Sequence, residues 1–125
     1  MIDHVSIGVR NVAASKRFYD AVLKPMGYRC LSDSPDSLGY GAQAPVFWVN
    51  AAERPVAADE RSGLHFCFCA PNRDSVEGFH AAGLACGGRD NGPPGLRRDY
   101  GAGYYAAYLE DPDGYRIEAY FAEQA

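Results

Sequence analysis

The chain repeats itself. When its first part is slid over its second by sixty-one positions, His4 meets His65, Asn11 meets Asn72, Phe18 meets Phe79, Ala21 meets Ala82, Leu23 meets Leu84 and Gly27 meets Gly88. A repeat of that period constrains the fold more than any local signal, because one supersecondary unit must serve twice. In each copy an alternating stretch (2–9 and 64–70) leads to an Asn that can cap a helix, and a helix-period segment follows. Phe18, Val22 and Met26 mark the buried face of the first helix, and Val76, Phe79 and the Ala81-Ala82 pair that of the second. Short strand-like pieces come after each helix: 28–33, 38–41 and 46–50, then 85–89, 104–109 and 115–121. The unit reads βαβββ. The expected fold is α+β, with two tandem modules forming an open, barrel-like mixed sheet and the helices outside. Module one spans 1–51, module two 62–122, and a polar linker 52–61 joins them within one domain. The Gly/Pro-rich run 91–103 (NGPPGLRRDYGAG) reads as an irregular loop.

Bulk composition narrows the partners. With 125 residues, 47% of them hydrophobic, the chain is long enough to bury one core. A net charge of −4 and the lack of a Lys/Arg run argue against nucleic acid and against an anionic membrane surface. No apolar run approaches the roughly 20 residues of a membrane span, and Met1-Ile2-Asp3-His4 opens directly into a strand pattern. A cytoplasmic protein with a small-molecule partner is expected. Cys30, Cys67, Cys69 and Cys86 form no CxxC pair and read as small reduced hydrophobes.

Strand periodicity sorts the faces. In the first strand Val5, Ile7 and Val9 point to the helix and His4, Ser6 and Gly8 away from it. Phe66 and Phe68 likewise leave His65, Cys67 and Cys69 opposite. After the strong turn Asp111-Pro112-Asp113-Gly114, Ile117, Ala119 and Phe121 leave Arg116, Glu118 and Tyr120 opposite. A carboxylate in mid-strand is costly unless something neutralises it. If the sheets curl together, His4, His65 and Glu118 converge, and two imidazoles with one carboxylate suit Fe, Mn, Ni or Zn as a divalent ion with open positions for substrate. Trp48, Phe47 and Tyr40, with Tyr104, are expected to wall a planar or apolar ligand, with Cys67 lining the pocket. Arg97 and Arg98 in the long loop are expected to close over an anionic substrate.

The stretches DHVSIGVRNVAASKRFYDAVLKPMGY (3–28) and YYAAYLEDPDGYRIEAY (104–120), with His65 in GLHFCF between them, resemble the vicinal oxygen chelate superfamily of glyoxalases, bleomycin-resistance proteins and extradiol dioxygenases. The resemblance implies a metal held by His4, His65 and Glu118. It places a fourth ligand position on Trp48, which binds no metal, so the set is closer to the two-His, one-Glu set of extradiol dioxygenases than to glyoxalase I. It implies a metal-dependent lyase, isomerase or dioxygenase whose substrate chelates through vicinal oxygens, or alternatively a metal-free binding protein. Glu118, Tyr104, Tyr108, Arg116 and Tyr120 are the residues expected to work on the substrate, in a homodimer.

Overall fold

In the computed structural model, which describes residues 1–123, the repeat is realised nearly residue for residue. The first copy comprises β1 (Val5–Val9), α1 (Val12–Leu23), β2 (Arg29–Ser34), β3 (Ser37–Gly41) and β4 (Phe47–Ala51). The second comprises β5 (His65–Cys69), α2 (Arg73–Ala85), β6 (Arg89–Leu96), β7 (Tyr104–Glu110) and β8 (Arg116–Ala122). Each copy forms its own four-stranded mixed sheet, ordered β1-β4-β3-β2 and β5-β8-β7-β6. The outer pairs β1–β4 and β5–β8 are parallel and the remaining pairs antiparallel. The sheets do not close into a barrel.

Both helices begin as the sequence expects. Asn11 accepts from the Ala14 N–H and Asn72 from the Ser75 N–H, each at the cap position. The buried face of α1 is Phe18, Tyr19, Val22 and Leu23, followed by Met26 in a short 3-10 turn that ends at Gly27 with φ of +88°. In α2 the buried side chains are Ser75, Val76, Phe79 and His80, while Ala81 is exposed and Leu84, the counterpart of buried Leu23, faces water. The residue that replaces Leu84 at the interface is Gly83. A Cβ there would stand 2.2 Å from Leu109 Cδ1, so α2 lies too close to β7 for any side chain. His80 is buried: its Nε2 lies 2.8 Å from Asp90 Oδ1, and the same oxygen accepts from the Gly92 N–H.

A single hydrophobic core spans the two copies. The helix-facing side chains of both sheets meet there, with Phe47 of β4 edge-on to Phe66 and Phe68 of β5. Polar ties reinforce it: Tyr115 OH donates to the Gly8 carbonyl, Tyr28 OH to the Cys69 carbonyl, and Tyr19 OH to buried Asp111 at 2.6 Å. Asp111 also accepts from the N–H groups of Asp113 and Tyr115, which fixes the turn into β8. Among the described residues no helix is long and apolar enough to cross a membrane.

The run 91–103 differs from its expectation as an irregular loop. β6 continues through Asn91-Gly-Pro-Pro-Gly-Leu96 by way of bulges between Asp90 and Gly92 and between Gly92 and Gly95. The physical reason is position, since β6 is the edge of its sheet, where a proline need not donate to a ladder and glycines accommodate the bulges. Only 97–103 remains as a connection, closed by the Arg97 N–H on the Tyr104 carbonyl.

Candidate functional site

The face of the second sheet opposite the core carries the candidate site. β8 lies between β5 and β7, and Glu118 pairs laterally with Cys67 on one side and Tyr108 on the other. Glu118 is 3% exposed, and both of its carboxylate oxygens are engaged. Oε1 lies 2.7 Å from His65 Nε2, and Oε2 accepts from Tyr104 OH at 2.5 Å. A buried carboxylate is tolerated on such terms only where donors replace the lost water. The expectation that something on this face requires Glu118 is met in the first instance by an imidazole and a phenol.

The surrounding side chains are tuned by the same carboxylate. Burial, then the hydrogen bond to Glu118, pushes the Tyr104 phenol well above its usual range. Burial followed by the charge of Glu118 raises Tyr108 to about 12 and the Cys67 thiol to about 12. Near neutral pH these three groups keep their protons, so they can donate or position. Tyr120 stacks on Tyr104, with centroids 4.7 Å apart and an interplanar angle of 22°. Arg116 lies opposite His65 in the ladder, with Nη2 3.8 Å from Glu110 Oε1. A cavity of about 270 Å³ opens beside this group, lined by His65, Tyr108, Arg116, Asn91 and Glu60.

His65, Glu118, Tyr104, Tyr108, Arg116 and Tyr120 are therefore gathered on one face, as the strand alternation requires. His4 is not with them. It precedes β1, half exposed, and its Nδ1 lies 2.8 Å from Asp3 Oδ1. Because the helix-facing sides of the two sheets share one core, the opposite sides do not fold onto each other within the chain. Among the described residues no three His, Cys, Asp or Glu side chains form a metal-holding group. The His65–Glu118 pair fits a borderline divalent ion as half of a ligand set, one imidazole nitrogen and one carboxylate oxygen.

The expected aromatic wall is divided. Trp48 stands on the outer face of β4, but Phe47 precedes it in the strand and so points into the core, where Tyr40 is buried too and donates to Asp20. With Tyr28, Phe68 and Cys67 these two line a separate apolar cavity of about 200 Å³ between the copies. Arg98 is exposed in the turn after β6. Arg97 is half-buried, with its guanidinium 5.3 Å from the centroid of the Tyr108 ring. The sequence signal missed here was His80, which anchors Asp90 and through it the first bulge of β6.

Comparison with known proteins follows this geometry. The model of the Glyoxalase/Bleomycin resistance protein/Dioxygenase superfamily matches residues 1–119. A glyoxalase/bleomycin resistance protein from Albidiferax ferrireducens T118 has a similar structure, with a TM-score of 0.82 and 35% identity over 94% of this chain and 95% of that one. A glyoxalase-related enzyme from Fulvimarina pelagi is similar at a TM-score of 0.75 and 18% identity, covering 97% and 87% of the two chains. The fosfomycin resistance protein FosX from Mesorhizobium loti shares the fold at 0.70 and 16% identity, covering 96% and 90%. A comparison with curated protein sequences found no match.

Proposed function

The chain belongs to the Glyoxalase/Bleomycin resistance protein/Dioxygenase superfamily, and from that premise we propose that it is a metal-dependent enzyme for a small substrate with two neighbouring oxygens. The reaction class is lysis or isomerisation, or ring-cleaving oxygenation, with Fe, Mn, Ni or Zn as the ion. The observation that carries this reading is the buried Glu118 carboxylate with His65 Nε2 at 2.7 Å on a face beside an open cavity. His65 and Glu118 would hold the ion, which when bound would polarise a chelated oxygen as a Lewis acid. Tyr104, through its bond to Oε2, fixes which way Glu118 presents Oε1. Tyr108, still protonated at neutral pH, stands next to the carboxylate as a donor to substrate.

The third ligand in this proposal is His4 of a second copy. His4 is exposed, its one polar partner among the described residues is Asp3, and both sheets turn their non-core faces outward. A homodimer that lays the first sheet of one chain against the second sheet of the other would complete two equivalent sites. We assign its action to the cytoplasm, where the four free cysteines stay reduced.

The test is elemental analysis of protein purified without chelator, run beside size determination, for the wild type, Glu118→Ala and His4→Ala. About one ion per chain, lost in both variants, is the expected result. A wild type that takes up none of the four ions on incubation would end the metal reading. The metal-free alternative, small-molecule binding, is favoured by one observation: both oxygens of Glu118 are already satisfied by protein donors. Under that alternative, ligand-induced changes in Trp48 fluorescence are indifferent to chelator.

A further inference from the structure

Arg97 is a half-buried cation without a counter-ion. Among the described residues no carboxylate lies within ion-pairing distance of it. Its partners are neutral: Nη2 donates to the Pro93 carbonyl at 2.5 Å, and the guanidinium lies over the Tyr108 ring. The backbone beneath is cleared for it. A Cβ on Gly95 would come within 3.1 Å of Nη1, and one on Gly92, where φ is +149°, within 3.3 Å of Nη2. Gly92 is in turn held by Asp90, which His80 pins from α2. The arginine is thus built into place by its edge strand rather than left loose on a loop.

Its address matters. Tyr108 pairs directly with Glu118 across the β7–β8 ladder, so Arg97 stands one side chain beyond the carboxylate, on the side away from His65. The other arginines of this region are less suited. Arg116 faces Glu110, and Arg98 is exposed. A guanidinium held by a carbonyl and an aromatic face keeps further N–H donors free, and a planar fork of donors matches an oxyanion.

We infer that Arg97, seated on Tyr108, is the anion-binding residue of the site, and that the substrate carries a phosphate- or carboxylate-type oxyanion in addition to the oxygens directed at His65 and Glu118. The inference rests on the reading of this face as the substrate site. It adds a class to that reading: a small anionic metabolite, gripped at one end by a guanidinium and at the other beside the His65–Glu118 pair. Neighbouring strands are about 4.8 Å apart, so a ligand of metabolite size spans from β6 to β8.

The experiment uses metal-free, ¹⁵N-labelled protein titrated with inorganic phosphate and, separately, with acetate. The signals followed are the Arg97 Nε–H and the backbone amides of Gly92, Tyr104 and Tyr108. A saturable shift at these groups is expected for at least one anion, and the tighter of the two names the source. Arg97→Gln should weaken binding about tenfold or more, which corresponds to about 1.4 kcal/mol. Arg97→Lys should cost less, since it keeps the charge and loses only the fork. Anion binding at Arg97 in a protein that takes up no metal would defeat the metal reading alone. Conversely, the anion inference is overturned if neither anion shifts Arg97, or if Arg97→Gln binds both as the wild type does, and a protein that takes up metal yet shows this result would leave the metal reading standing.

Discussion

The two copies of the unit put different chemistry at the same address. In the first, Ser6 pairs with Trp48 and Trp48 with Gly39. At the equivalent positions of the second, Cys67 pairs with Glu118 and Glu118 with Tyr108. The backbone register is shared, so the duplicated scaffold supplies position while the side chains decide what each position does. In the first copy an indole lies across a glycine, making a wall. In the second a carboxylate is held between an imidazole and a phenol, making the candidate site.

The comparison breaks first at Glu118 and Trp48. On the proposed function, Glu118→Ala should cost metal affinity more than the roughly 100-fold that loss of an outer partner can cause, whereas Trp48→Ala should stay within a few-fold. Calorimetric titration of both variants with zinc reads the difference. Equal losses would mean that the first copy contributes to the ion after all.

The second contrast lies in the turns that lead into β4 and β8. Only the turn into β8 is closed by a buried carboxylate, and burial, outweighing the hydrogen bonds from Tyr19 and two backbone N–H groups, raises Asp111 to about 6. The ordinary value is 3.8, so between these values the folded chain holds more protons than the unfolded one. Stability from this group therefore falls as pH rises from about 4 to about 6 and is level above that, a change on the order of 2–3 kcal/mol. Asp111→Asn, which keeps an acceptor for the backbone, should flatten that component. Denaturant unfolding of both proteins at about pH 4.5 and about pH 7 gives the difference directly, and the same change in unfolding free energy between the two pH values in both proteins would exclude a raised Asp111.

A third contrast concerns space. A Cβ on Gly39 would stand 2.7 Å from Trp48 Cζ3 and 2.9 Å from Cη2, so Gly39→Ala should destabilise by about 1–3 kcal/mol. In the Trp48→Ala background the same change should cost less, with only the 3.0 Å approach to Pro45 Cβ left, a coupling that a double-mutant cycle of unfolding free energies measures. Additive costs would show that the indole does not rest on Gly39.

How much of this was legible beforehand follows from what each signal encodes. The repeat and the two Asn caps are local or periodic, so the βαβββ duplication and the faces of β1, β5 and β8 could be read from the residues. Period two also gathers Arg116, Glu118 and Tyr120 with His65 on one face. What could not be read depends on tertiary placement. That β6 is an edge strand, able to absorb Pro93 and Pro94, is a fact of sheet order. That His80 is buried follows from how α2 approaches Asp90. Grouping Phe47 with Trp48 neglected the alternation that sorted the other strands. The separation of His4 from His65 is the most instructive case: equivalence in a repeat fixes the same place in each module, and whether the two places meet depends on how the modules pack.

The smallest effect tests the comparison at the first strands. Cys67 and Ser6 hold equivalent positions in the two sheets. Burial of its sulfur, then the charge of Glu118, raises the Cys67 thiol to about 12 from an ordinary 9.0, so it should alkylate slowly at about pH 8 because the thiolate is the reactive form. Glu118→Gln removes the charge and leaves the burial. The thiolate becomes easier to form, and alkylation should quicken severalfold without reaching the rate of a free thiol. Ser6→Cys, introduced with Cys67→Ser, places a thiol whose ladder partner is Trp48 instead of a carboxylate, and should react faster than native Cys67. Mass-spectrometric peptide mapping over a time course separates the three rates. If Cys67 and the Ser6→Cys thiol were equally reactive, the carboxylate of the second copy would not set the electrostatics of its strand, and the contrast between wall and site would reduce to shape.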